Sequence, residues 1–472
     1  MTEKNNPITE EKTKRTRKRI NDQNARLIAV RILTRVEKEG AYANLLLRSQ
    51  LSGLTQSRDR NLATALVNGV LKNKLTLDYA LRKYLNKPMS ALPQEVRAVL
   101  RTGVFQILLM NRVPVPAAVN ESVDLMNQLN RTYSPLVNSV LRKAAETGWN
   151  FEWPDQKKET VRYLSVRYSH PEWMIKRWLA RWGQEETEAL LKANNEPSLT
   201  SIRVNTLKTT RQELKTLLES QEIEVADGEY TPESLILKDF GGLDQLWEFQ
   251  NGYFTVQDQS SQLAAHLLGA REGDSVLDVC SAPGGKTTHL AQLMKNKGTI
   301  VAVDMYPQKL DLIKESAERL GITMIKTVEG DARILEGIGE KFDRVLVDAP
   351  CSGLGVLRKR ADLRWQKRED EISKLPQLQL AILLKAADHV REGGELVYST
   401  CTTEPEENFE VVKAFRQLKP EFVSVDLSGS LPFAAEERDL KQLRKGVWQI
   451  LPHHHNMDGF FIAKFRRPRM AK

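Results

Sequence analysis

From Asn21 to about Gly148, apolar side chains recur at steps of three and four, the spacing of a buried helix face. Val96, Val99, Leu100, Gly103, Val104, Ile107 and Leu108 make one such face, and Ala25, Ala29, Ile32, Leu33 and Val36 make a second. Further helices fit Leu62 to Lys72, Thr76 to Tyr84 and Pro116 to Gln128, with Pro88, Pro93 and Pro114 as breakers. Residues 21–148 therefore predict an all-α domain. Residues 149–198 are rich in tryptophan: Trp149, Trp153, Trp173, Trp178 and Trp182 sit among Lys176, Arg177 and Arg181. Trp178 and Trp182, four apart, share a helix face with Met174, which favours a packed helical connector over a base-stacking platform.

Over 199–256 the signals mix: a strand through Ser201 to Asn205, a helix through Thr210 to Ser220, and strands near Ile223, Leu235 and Phe254. That is the pattern of a small α+β module. Arg203 and Asn205 alternate with Ile202 and Val204, so they lie opposite the apolar face, turned to RNA or to water. Residues 257–467 alternate strand and helix, with strands expected at Ser275 to Val279, Thr299 to Asp304, Met324 to Val328, Asp343 to Asp348, Glu395 to Ser399 and Phe460 to Phe465. The fold class is multidomain, ending in a doubly wound, Rossmann-like α/β domain.

Charge narrows the partner. Lysine and arginine number 70 against 61 acids, a net +9, which favours a polyanion. Six of the eight residues from Lys12 to Arg19 are basic, so residues 1–20 read as a disordered tail, either adding phosphate contacts or merely solvated. Three cysteines, Cys280, Cys351 and Cys401, are too few for a disulfide framework and point to a reducing, cytoplasmic setting. The start lacks the apolar stretch of a signal peptide, and no later stretch approaches a membrane span. A monomer is the expectation.

The first strand of the α/β domain runs into Asp278-Val-Cys-Ser-Ala-Pro-Gly-Gly-Lys-Thr287. Gly284 and Gly285 let the backbone turn against a ligand, and the helix that follows offers free N–H groups to a carboxylate such as that of S-adenosylmethionine. The expected cofactor cradle is Cys280, Ser281, Ala282, Pro283, Gly284, Gly285 and Lys286. Asp304 ends the next strand, 26 residues beyond Asp278, where an acid accepts from ribose hydroxyls; Asp331 follows the third strand, toward the adenine amino group. A phosphate-binding loop needs glycine where Cys280 stands, and no Gly-x-Gly-x-x-Gly occurs there, so ATP and dinucleotides are disfavoured. Two further strands end in Asp348-Ala-Pro-Cys-Ser352 and Tyr398-Ser-Thr-Cys-Thr402, which puts a carboxylate and two thiols at the ligand-binding ends. Pro350 stiffens the first of these turns.

Gly40-Ala-Tyr-Ala-Asn44, Arg58-Asp-Arg60, Leu66-Val-Asn-Gly-Val70 and Asn138-Ser-Val-Leu-Arg142 resemble the transcription antitermination factor B family, whose fold binds RNA; a helical spacer is the plainer reading. The glycine loop and both cysteine motifs, with Tyr168-Ser-His-Pro-Glu-Trp173, Val256-Gln-Asp-Gln-Ser-Ser261 and Asp458-Gly-Phe-Phe461, resemble the RNA cytosine-5 methyltransferase family over nearly the whole chain. Ser281 stands where that family often has alanine. The resemblance implies methyl transfer from S-adenosylmethionine to carbon 5 of a cytosine in 16S ribosomal RNA. It implies Cys401 as nucleophile, Cys351 in proton removal or release, and Asp348 on the N3 and N4 edge of the base. Carbon 5 cannot attack a methyl sulfonium unaided; a thiolate added at carbon 6 makes it an enamine that can. Spacing alone leaves open which cysteine attacks. Transfer RNA is the competing substrate, and a non-catalytic RNA-binding or ribosome-assembly module is the alternative outside enzymology.

Two further features divide. Leu357-Arg-Lys-Arg360 with Arg364-Trp365 reads as a basic loop for RNA docking, or as a solvated charge run. His453-His-His455 reads as a solvated loop, since neighbouring histidines rarely converge on one ion, and no metal is expected.

Overall fold

Among the described residues, six helices of 9 to 25 residues form over 25–147 because their apolar faces are continuous. The first, Ala25–Glu39, starts where the Asn24 side chain accepts from the N–H groups of Arg26 and Leu27, and it stops at Gly40 in the left-handed region. It is followed by Ala43–Leu51, Ser57–Leu81, Gln94–Leu109, Val115–Leu129 and Ser134–Thr147. A computed structural model describes residues 24–469 of the chain, apart from 52, 239, 241 and 340; the basic tail expected over 1–20 lies outside the described residues. The chain divides into two units, residues 1–70 with 80–150, and residues 71–79 with 151–472. In the first, Ile32, Leu66, Val67, Val99, Leu100, Val104, Met126, Val137 and Leu141 are buried, as the three-and-four periodicity requires. The two helices expected at Leu62 to Lys72 and Thr76 to Tyr84 are one, Ser57–Leu81, because neither glycine nor proline lies between Leu71 and Leu81 to end it.

The second unit holds the connector helices Thr160–Tyr168 and Glu172–Asn195 and two sheets. Met174 and Trp178 are buried, so the tryptophan stripe is core. The smaller sheet comprises β1 (Thr200–Val204), β2 (Glu224–Asp227), β3 (Ser234–Lys238) and β4 (Phe254–Val256), antiparallel in the order β2-β3-β1-β4. Ile202, Val204, Leu235 and Leu237 pack against Leu214 and Leu218 of the helix Arg211–Glu219, which a Thr210/Glu213 capping box begins.

The larger sheet has eight strands: β5 (Ser275–Val279), β6 (Thr299–Asp304), β7 (Ile325–Glu329), β8 (Phe342–Asp348), β9 (Val390–Thr400), β10 (Val423–Ser424), β11 (Val447–Ile450) and β12 (Phe460–Arg466). Their order is β10-β12-β9-β8-β5-β6-β7, with β11 on β12. Strands β5 to β9 are parallel, while β12 returns antiparallel to β9. Alternate residues of β5 enter opposite cores, Leu277 and Val279 in one and Val276 in the other, so both faces are covered. The fold class read from the sequence is thereby observed. Parallel neighbours β5, β8 and β9 bring the residues after their C-terminal ends to one edge.

Candidate active site

At that edge Asp348 of β8 pairs in register with Ser399 of β9, whose hydroxyl donates to Asp348 Oδ1 at 2.9 Å. Three residues beyond Asp348 and two beyond Ser399, the sulfurs of Cys351 and Cys401 stand 3.2 Å apart. Lys286, from the first turn of the helix Gly285–Leu293, donates to Asp348 Oδ2 at 2.7 Å and lies over the Phe460 ring. Its ammonium is held above its ordinary pKa: burial opposes the charge, but Asp348 outweighs it, with help from Cys401. The Cys351 thiol is pushed well up, first by its hydrogen bond with Cys401 and then by burial.

One buried carboxylate ties the two cysteine turns together. Glu407 Oε2 accepts from Ser352 N at 2.8 Å and Gln379 Nε2 at 2.9 Å, while Oε1 accepts from Ser352 Oγ at 2.5 Å and Thr402 Oγ1 at 3.1 Å. Ser352 and Thr402 each directly follow a cysteine. A second tie is backbone: Gly355 N donates to the Cys401 carbonyl, and Gly459 N to the Gly355 carbonyl. A Cβ on Gly355 would stand 2.0 Å from the Gly459 oxygen, so only glycine fits. From the connector, Trp178 Nε1 donates to Glu404 Oε1 at 3.1 Å, and Arg177 binds Glu404 and Glu406. Sequence reasoning missed Glu407, because an acid in Thr402-Thr-Glu-Pro-Glu-Glu-Asn408 looks solvated.

The glycine loop turns through Cys280 at φ 60° and Gly284 at φ 96°. A Cβ on Gly284 would come within 3.1 Å of Ile313, so small size and a left-handed backbone are both required there. Ser281 holds the loop to β6, its N and Oγ donating to the Val303 carbonyl at 3.0 and 3.1 Å. Asp304 accepts from the N–H groups of Ala282 and Tyr306, each at 3.2 Å. Burial pushes the Cys280 thiol up, and the negative charges of Asp304, Asp348, Asp278 and Asp331 push it further. Of these four acids Asp348 and Asp331 are already paired, with Lys286 and Arg333, and the negative charge left around the loop fits the sulfonium and ammonium of S-adenosylmethionine. Asp331 binds Arg333 through both its oxygens. Asp278, 0% exposed, accepts from Thr287 Oγ1 at 2.6 Å, and burial raises its pKa to about 7.

Three polar features sit otherwise than the sequence suggested. Arg203 and Asn205 face neither RNA nor water: both are fully buried. Arg203 donates to the Gly285 carbonyl at 2.6 Å, to Thr288 Oγ1 at 3.0 Å and to Gln257; Asn205 donates to the carbonyls of Gly252 and Leu320. The polar face of β1 thus pins the start of the loop-bearing helix. Much of the expected basic docking loop is also engaged within the protein, with Arg358 and Arg364 buried while Lys359 is exposed. Arg358 binds Pro197 and Asn456, Lys359 binds Asp258 and Asp458, and buried Arg364 binds Asn195 and the carbonyls of Ser169 and Asn194. His453-His-His455 is no solvated loop: it is a helical turn in which His455 is buried on Asp439, and His453 and His454 share Glu186 Oε2 at 2.9 Å each.

A parallel sheet with a glycine loop after its first strand, acids after the next ones and a lysine–aspartate pair beside two thiols defines an S-adenosylmethionine-dependent methyltransferase. Residues 265–466 match the family model "16S rRNA methyltransferase RsmB/F", residues 23–146 match the "NusB family" and residues 170–243 match "Methyltr_RsmF/B-like, ferredoxin-like domain". The chain is 39% identical over 447 residues to the Bacillus subtilis protein named "Probable ribosomal RNA small subunit methyltransferase B", covering 93% of this chain and 98% of that one. The solved structure of PH0851 superposes with a TM-score of 0.79 at 30% identity, covering 96% of this chain and all of that one. NSun6 from Pyrococcus horikoshii, solved with SFG, has a TM-score of 0.56 at 28% identity, covering 63% and 98%. The chain belongs to the ribosomal RNA small subunit methyltransferase B family. No helix among the described residues is long and apolar enough to cross a membrane.

Proposed function

We propose that this protein methylates carbon 5 of a cytosine in small-subunit ribosomal RNA through a covalent adduct between Cys401 and carbon 6 of the base. The observation that carries this reading is the 3.2 Å approach of the two sulfurs beside the Lys286–Asp348 pair. The names of the relatives support the RNA, and the NusB match supports an RNA-binding first unit. S-adenosylmethionine supplies, when bound, an electrophilic methyl group; the NSun6 structure, which holds an analogue of it, supports that choice. Cys280 to Lys286, with Asp304, Asp331 and Asp348, would hold it.

The chain's own residues perform the rest. Cys401, hydrogen-bonded to Cys351 and close enough to the Lys286 ammonium to interact with its charge, is the attacking sulfur. Its addition to carbon 6 moves the C5–C6 electron pair to carbon 5, while the Asp348–Lys286 pair faces the N3 and N4 edge and lets N3 share a proton. Cys351, whose sulfur stands 3.2 Å from that of Cys401, is then the group beside the adduct that assists removal of the carbon 5 proton. Removal of the carbon 5 proton restores the double bond and expels the Cys401 thiolate. Incubation with labelled S-adenosylmethionine and unmodified small-subunit RNA tests the activity; label in transfer RNA alone would overturn the substrate. Cys401→Ala should abolish transfer and Cys351→Ala should accumulate a protein–RNA adduct; the reverse outcome would exchange the two roles.

A further inference from the structure

At the opposite end of the same strands lies a cavity of about 560 Å³ whose wall includes Arg271, Arg344, Lys464, Arg466 and Arg469 with one carboxylate, Glu395. Glu395 is shared by Arg344, Lys464 at 2.9 Å and Arg466 at 2.6 Å; Arg344 also reaches Asp274 at 3.2 Å. Arg271 and Arg469 make no ion pair among the described residues, and both are exposed at the rim. Lys464 forms part of the floor at 5% exposure. Burial lowers its pKa, and Arg344 and Arg466 lower it further against Glu395. The five cations exceed Glu395 and Asp274 by three charges, so the concavity attracts anions.

We infer that this cavity is a second RNA-binding site, which takes phosphodiester groups of a segment distant from the target base. Glu395 and Cys401 are six residues apart along β9 and its end, so the cavity lies roughly 20 Å from the sulfurs. An RNA that fills it therefore uses different nucleotides from those at the site. A buried ammonium below and two exposed guanidiniums above suit a backbone that passes across the mouth, where an enclosed small anion would leave the rim charges unmet. Phosphate contacts of this kind carry affinity and register but no sequence information.

The test is Arg271→Glu with Arg469→Glu, a change that breaks no ion pair among the described residues. Lys413→Glu with Arg416→Glu, exposed and outside the cavity, alters net charge equally. Binding of an unmodified small-subunit RNA transcript is measured from low to moderate salt. The cavity variant should lower the slope of log K against log salt by about 1.5, as expected for two lost phosphate contacts, and raise KM for RNA but not for S-adenosylmethionine. Equal slopes in the cavity variant and the parent, or an equal drop in the control variant, would overturn the inference. Inorganic phosphate that raises the Tm of the parent alone, with the RNA slope unmoved by the substitutions, would overturn it in favour of a small-anion site.

Discussion

Removing the Glu407 carboxylate should uncouple the two cysteines. In Glu407→Ala, the N–H and hydroxyl of Ser352, the Thr402 hydroxyl and the Gln379 amide all lose one acceptor inside a buried region. Ionised Glu407 is itself unwelcome there, since burial raises its pKa, so the net loss is far below four full hydrogen bonds. A cost of about 3–5 kcal/mol is reasonable, or a Tm loss of about 6–10 °C. The sulfurs would lose their common tether, and a displacement near 1 Å is worth about 100-fold in kcat, with KM for RNA nearly unchanged. Glu407→Gln separates charge from shape: its oxygen can serve Ser352 N and Gln379, and its amide can donate to the hydroxyls, so about 1 kcal/mol is expected. A raised carboxyl pKa means the folded state holds the proton more tightly. Glu407 therefore contributes stability below the ordinary glutamate range that is lost as pH rises through its raised folded value. The Tm advantage of the parent over Glu407→Gln should shrink as pH rises. Parental kcat in Glu407→Ala, or a Tm difference from Glu407→Gln that grows with pH, would refute this reasoning.

Gly355→Ala should cost about 3 kcal/mol and abolish adduct formation, because the new methyl group meets the Gly459 oxygen and the Cys401 carbonyl; thermal melts and gel-shifted adducts report both. Arg203→Met should weaken S-adenosylmethionine binding by calorimetry about tenfold, since the Gly285 carbonyl and Thr288 lose their anchor while the fold is kept. Asp278, its pKa raised to about 7 by burial, adds stability to the cofactor-free protein at acid pH that fades as pH climbs from about 4 through 7; Asp278→Asn should lack that slope in Tm measured against pH.

Much of the catalytic domain was legible because its strands are apolar runs closed by chemistry-bearing turns. β5 and β6 fall where expected to the residue. The short strands β10 and β11 carried too few residues to show a period. What stayed hidden was polarity that is satisfied inside. Alternation in β1 marks Arg203 as polar-facing, yet periodicity cannot say that another layer covers that face. The arginines after Cys351 misled for the same reason: a charge reads as solvated unless its partner, such as Asn195 for Arg364, is known. Glu407 was hidden because its four donors come from three separated segments.

The shared Glu407 tether has a consequence for the RNA. Cys351 and Cys401 sit partly buried in turns fixed from both sides, so neither sulfur can swing outward to meet a stacked base. On the proposed reading, the nucleotide must do the moving. A cytosine within a helix would have to leave its stack and turn into the protein, at a cost of a few kcal/mol; one already unpaired in a loop is spared most of that. Rigidity at the sulfurs thus becomes a filter on RNA conformation, selecting targets by how readily a base can be extruded before any neighbouring letter is read.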